Sequence, residues 1–119
     1  MTDFSFRSSG AFVENIVALA DVSAPALDAS LGNLFYLNTQ GNRTIAPPTN
    51  SMDGQKVIIR VTAIGGDRTL ALSSSAGGFR FGTDIMGLTA TTEDTSDYIG
   101  CIYNASAGFW DVVAYTKGF

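Results

Sequence analysis

The sequence predicts an all-β fold, an antiparallel β-sandwich or jelly-roll-like barrel with a short N-terminal arm or helix. Three observations carry that expectation. From residue 34 onward the apolar side chains recur with a period of two, not 3.6. Gly, Pro, Asn and Asp break the apolar runs at short intervals, roughly every eight to twelve residues, as many short strands require. The runs themselves are rich in Thr, Val, Ile, Phe and Tyr, which pack well on a pleated surface.

The elements follow in order. Residues 1–24 lie outside the strand repeat and are read as an N-terminal arm, with 25–119 as the β-sandwich domain. Within the arm, Phe12, Ile16 and Leu19, with Val13, Val17 and Ala20, make a helical stripe. Ser8-Ser9-Gly10 and Pro25 bracket the same stretch with breakers, so an extended arm is the equal alternative. Strands are expected at Leu34–Thr39 and Asn42–Ala46, joined across Gln40-Gly41. Lys56 to Ile64 places Val57, Ile59, Val61 and Ala63 on one face and Lys56, Arg60 and Thr62 on the other, with Ile58 and Ile64 among them. Gly65-Gly66-Asp67 then reads as a hairpin leading into Thr69–Ser73. Phe79-Arg80-Phe81 sends two rings one way and the guanidinium the other. Tyr98–Asn104 and Phe109–Tyr115 form a closing pair around Ala105-Ser106-Ala107-Gly108.

Composition narrows the function. The chain has 119 residues, one domain's worth, with 45% hydrophobic and only 15% charged residues, so a packed core is expected and disorder is not. Seven basic against eleven acidic residues leave a net charge of −4. A nucleic-acid partner is not expected, because phosphate neutralisation needs a basic patch. No apolar run approaches the ~20 residues of a membrane helix. Ala18-Leu19-Ala20 imitates a signal-cleavage site, yet Asp3 and the Glu14-Asn15 interruption argue against a leader.

Catalytic chemistry finds little to use. The chain has no His, which removes the usual general base and the commonest metal ligand. Cys101 is the single cysteine and sits among apolar neighbours, so it is read as a packing thiol. Glu93, Asp94 and Asp97 gather in one loop, but their spacing fits no Ca²⁺ loop, and a solvated acidic loop is expected. Asp53 and Asp67 adjoin glycines in turns, while Asp111 takes an exposed alternate position, so no pair of carboxylates for glycoside cleavage is expected. Gly77-Gly78-Phe79-Arg80-Phe81-Gly82 lacks the spacing of a phosphate loop. Asn42-Arg43-Thr44 and Asn104-Ala105-Ser106 match the glycosylation pattern and read as turns. No cofactor or metal is expected. Trp110, Tyr103, Tyr98 and Tyr36 offer rings for stacking on a sugar, with Trp110 and Tyr103 the leading glycan contacts. At strand periods such residues are more often core or subunit interface, and that reading is favoured.

Several motifs recur together. Gly32-Asn33 opens a strand, and Gly41-Asn42-Arg43-Thr44 opens another. Pro48-Thr49-Asn50 precedes Asp53-Gly54-Gln55. The long strand, the Gly65-Gly66-Asp67-Arg68-Thr69 turn, Phe79-Arg80-Phe81 and the aromatic hairpin follow. In this order they resemble the β-rich domain of tailed-bacteriophage virion structural proteins, of tail-fibre and head-surface type, over residues 25–119. The resemblance implies a sandwich-like domain, often trimeric, without enzymatic activity. It carries no catalytic residues over. On this reading the expected function is that of a capsid-surface decoration or cement protein. The alternative is a tail-fibre-type protein that binds a host surface glycan. No coiled-coil heptad run is present, which favours the capsid surface. The expected partners are further copies of the chain, as a homotrimer, and the major capsid protein. Phe4, Phe6, Phe12 and Ile16 are the interface candidates, and the particle surface is the expected location.

Overall fold

The computed structural model describes residues 15–119, in which eight strands and no helix occur. They are β1 (Ile16–Ala18), β2 (Leu34–Thr39), β3 (Arg43–Ile45), β4 (Lys56–Ala63), β5 (Leu70–Leu72), β6 (Phe79–Phe81), β7 (Ser96–Asn104) and β8 (Phe109–Thr116). Six form one sheet in the order β1-β2-β4-β7-β8-β6, and β3 pairs with β5 in a second, two-stranded sheet.

The period-two pattern holds along the long strands. Val57, Ile59, Val61 and Ala63 of β4 are buried, with Lys56, Ile58, Arg60 and Thr62 turned outward. Phe35 and Leu37 of β2, Ile99 and Cys101 of β7, and Trp110 and Val112 of β8 join them on the inner face. Ile45, Leu70 and Leu27 belong to the same buried cluster, so the small sheet and the loop before β2 close the core from the other side. Each large side chain removed from water there contributes about 1.5–3 kcal/mol. Phe79 is buried and Phe81 packs against the cluster, while Arg80 faces out, as the sequence of that strand requires.

Strand direction departs from the expectation. The large sheet is mixed: β4–β7 and β7–β8 are antiparallel, whereas β1–β2, β2–β4 and β6–β8 are parallel. Only the closing pair is the hairpin expected. Leu34–Thr39 and the following strand do not pair across Gln40-Gly41, because β3 leaves for the second sheet and lies parallel to β5. The Gly65-Gly66-Asp67 break is likewise no hairpin. Both glycines take positive φ, and the Ile64 N–H donates to the Thr39 carbonyl, which continues the chain past β2. The Arg68 guanidinium folds back on the Ile64 carbonyl, and Arg68 exchanges two backbone hydrogen bonds with Thr91. These partners divert the chain between sheets and leave none for a two-stranded turn.

The N-terminal expectation is corrected as well. Residues 16–18 are strand, so a helix through Ile16 is excluded. The described residues before Pro25 are extended and bond along β2 of the same chain. The Asn15 carbonyl accepts from the Asn33 and Leu34 N–H groups, Leu19 donates to the Tyr36 carbonyl, and Asp21 pairs with Arg43 at 2.8 Å. Val17 and Leu19 pack against the core. Phe4, Phe6 and Phe12 lie outside the described residues.

Candidate functional site

No described residue outside the sheet's own strands and the C-terminal Phe119 is seen packed on the outward face of the six-stranded sheet, and register shows what it presents. Residues opposite one another on paired strands point to the same side. One row runs Ile16–Leu34–Ile58–Gly100–Ala114 across five strands. It is wholly apolar. Gly100 keeps it flat, since a Cβ there would meet the Ala114 Cβ at 3.2 Å. The register slips between Gly100 and Cys101, and Val113 is the extra residue of β8, left 53% exposed beside this row.

The next row runs Ala18–Tyr36–Arg60–Tyr98–Thr116. Its centre places a guanidinium between two phenols. The Arg60 Cζ lies 5.1 Å from the centre of the Tyr36 ring, within cation–π range. The Tyr98 ring meets Phe119 edge-on at 5.6 Å. Thr62 and Ser96 follow, their hydroxyls 2.7 Å apart. The face thus grades from aliphatic through aromatic and cationic to hydroxyl-bearing.

A second feature lies at the β1 end. Asn15, Ala29, Ser30, Leu31, Gly32 and Met52 line much of a groove of about 410 Å³. Leu31, Met52 and Ile16 are 53%, 71% and 63% exposed beside it. β1 is an edge strand. Asn15 and Leu19 direct their backbone groups to β2, so by alternation those of Ile16 and Ala18 face away from the sheet. Ile16, one of the interface candidates, lies on this edge strand, which has no further strand beside it among the described residues.

The glycan contacts expected from sequence are displaced. Trp110 has no exposed surface, and its Nε1–H donates to the Ser51 Oγ at 2.9 Å. No sugar stacks on a ring without a free face. Tyr103 packs against Trp110, ring centres 5.2 Å apart, and is only partly exposed. Both belong to the inner layer. Of the four rings considered, Tyr36 and Tyr98 reach the outward face. Arg60 between them was legible only as an alternate polar position, because its neighbours come from two other strands.

The acidic loop is also corrected. Glu93 and Asp94 are exposed, but Asp97 is 1% exposed. Its carboxylate accepts from Lys117 Nζ at 2.7 Å, Thr91 Oγ1 at 2.9 Å and the Gly118 N–H at 3.0 Å. Partial burial pulls the Lys117 ammonium down, but its hydrogen bonds to Asp97 and Tyr115 outweigh this and raise it above its usual range. The node ties the end of β8 to the loop before β7. Asp53 and Asp67 accept from the Ala105 and Glu93 N–H groups, across long sequence separations rather than within their own turns. Asp111 pairs with Arg80 on the outward face. Cys101 is buried, and desolvation, helped by Asp111, pushes its thiol up to about 12, so the nucleophilic thiolate is suppressed. Among the described residues no group of His, Cys, Asp or Glu is arranged to hold a metal. No helix among them is long and apolar enough to cross a membrane.

Comparison with protein-family models, with curated proteins and with solved structures gives no match to this chain.

Proposed function

We propose that this chain is a non-enzymatic virion structural protein of the tailed-bacteriophage type, a capsid-surface decoration or cement protein that works by protein–protein contact. The observation that carries this reading is the β1 edge, unpaired among the described residues, with Ile16 exposed on it and Leu31 and Met52 beside the adjoining groove. Unpaired strand edges and grouped exposed apolar side chains are the chemistry of association with another chain. On this reading the edge meets the major capsid protein or a neighbouring copy in a homotrimer. Binding only the assembled coat would stabilise it by mass action. The pairing of the small sheet with the inner face of the large one supports a two-layered sandwich reading of the fold. Quantitative mass spectrometry of purified virions of the encoding phage tests the proposal. A copy number of the order of the coat protein's, reduced by Ile16→Lys, is expected. Absence from the particles overturns it. A tail-fibre-type receptor-binding protein is the second reading, favoured by the Tyr36–Arg60–Tyr98 row, and predicts a small fraction of the coat copy number.

A further inference from the structure

We propose that the Tyr36–Arg60–Tyr98 row binds a carboxylate-bearing carbohydrate, a uronic or sialic acid unit within a glycan. The inference deepens the receptor-binding reading, on which it rests, by naming the ligand class of this row.

Three features of the row point to this ligand class. First, the rings are carried on directly paired strands. With strands about 4.8 Å apart, Tyr36 on β2 and Tyr98 on β7 flank Arg60 on β4 across about 10 Å, the reach of a disaccharide. The Tyr36 ring carries the guanidinium on one face, which leaves the half-exposed Tyr98 ring for the C–H face of a pyranose and the phenolic oxygens of both for its hydroxyls. Second, the cation is uncommitted. Among the described residues, Arg43 pairs with Asp21, Arg80 with Asp111 and Lys117 with Asp97, and Arg68 donates to the Ile64 carbonyl. Arg60 has only the Tyr36 ring beneath it there. A planar guanidinium with free N–H groups matches a carboxylate in bidentate fashion. Third, the row is graded. Leu34 and Ile58 border it on one side, and Asn38, Thr62 and Ser96 supply amide and hydroxyl groups on the other. A sugar presents the same two kinds of surface.

A nucleic acid is the competing ligand for a cation between aromatic rings on a sheet face. The row is less suited to it. Among the described residues, of the two further cations on this face Lys56 stands alone and Arg80 is neutralised by Asp111, so no basic track there follows a phosphate backbone.

The test uses the full chain and four probes. These are a hyaluronan tetrasaccharide, α2,3-sialyllactose, neutral chitotetraose and an oligothymidylate. Each is titrated by calorimetry and by amide chemical shifts. We expect at least one acidic sugar to bind, with shifts centred on Tyr36, Arg60 and Tyr98, and chitotetraose to bind at least about tenfold more weakly. Arg60→Gln should weaken the acidic sugar by about tenfold or more, and Arg60→Lys, which keeps the charge but not the fork, by less. Tyr98→Leu should weaken it without changing the preference for acid over neutral sugar. Failure of both acidic sugars to bind overturns the proposal, as does equal affinity for chitotetraose, or an acidic-sugar affinity that Arg60→Gln leaves unchanged. Binding of the oligothymidylate alone overturns it in favour of a nucleic-acid face. The wild-type contrast between acidic and neutral sugars decides the matter even if a variant fails to fold. Since the isolated protein is used, the result is independent of the copy number in particles.

Discussion

Replacing Asp97 by alanine should unfold this protein far more readily than any change at Glu93 or Asp94 in the loop just before it. Asp97 is 1% exposed and accepts three hydrogen bonds, from Lys117, Thr91 and the Gly118 backbone. Breaking a buried charge pair by removing one partner costs about 3–5 kcal/mol when both charges are sealed from water. Here the Lys117 side chain is 37% exposed and regains water once its partner is gone, so its share is smaller. Thr91 is also 1% exposed, and its stranded hydroxyl costs about 1–3 kcal/mol. The sum is about 2–4 kcal/mol, a large part of the roughly 5–15 kcal/mol by which a domain is stable. At about 4 °C per kcal/mol for this size, the melting temperature should fall by about 8–16 °C. The chain has one tryptophan, Trp110, fully buried at the opposite end of β8, so its fluorescence reports global unfolding in urea. Asp97→Asn should lose about half as much, because its amide still accepts from Thr91. Lys117→Met, which keeps the stem and removes the charge, completes a double-mutant cycle. An Asp97→Ala protein within about 0.5 kcal/mol of wild type would refute the reasoning, since surface substitutions fall in that range.

Other outcomes follow from the same structure. Trp110→Ala should cost about 3–5 kcal/mol as a core truncation and leave sugar affinity per folded molecule unchanged, read by near-ultraviolet circular dichroism and calorimetry. Cys101 should resist thiol reagents in the native protein at neutral and mildly alkaline pH and react in denaturant, because burial raises its pKa to about 12; rapid native labelling would contradict this. Stability should fall at both ends of the pH scale. The Arg43 hydrogen bond holds Asp21 well below the usual carboxylate range, so its contribution is present above about pH 4 and is lost as pH falls toward its folded pKa. Lys117 is raised, so its contribution is present below about pH 10.4 and lost as pH rises past it. Urea midpoints across pH, with Asp21→Asn flattening the acid limb and Lys117→Met the alkaline one, check both signs. Gly78→Ala should destabilise by more than about 2 kcal/mol, since a Cβ there would stand 2.2 Å from the Ser73 carbonyl oxygen at the entry to β6.

Alternation along a single strand is local information, and it was legible throughout. Val57, Ile59, Val61 and Ala63 pointed inward because side chains of a strand must alternate, whatever the strand pairs with. The closing hairpin was legible for a related reason, as a four-residue turn of small residues ending in Gly108 at positive φ joins two aromatic runs. Pairing between distant strands is different, because it depends on which backbone groups find partners after the chain has turned. Gly65-Gly66-Asp67 reads as a reversal until Arg68 is seen to spend its donors on Ile64 and Thr91. Asp97 reads as one acid among three until Lys117 and Gly118 arrive from the far end of the chain. Trp110 reads as a binding ring because periodicity assigns it a face without telling which face is covered. The sequence by itself determined a strand-rich chain, the inward residues of each long strand and the absence of a histidine for acid–base work. The tertiary structure alone decided that strand directions are mixed, that Trp110 is interior, and that Tyr36, Arg60 and Tyr98 share one outward row. The physical reason is that a residue's side follows from its own strand, while its neighbours come from strands dozens of residues away.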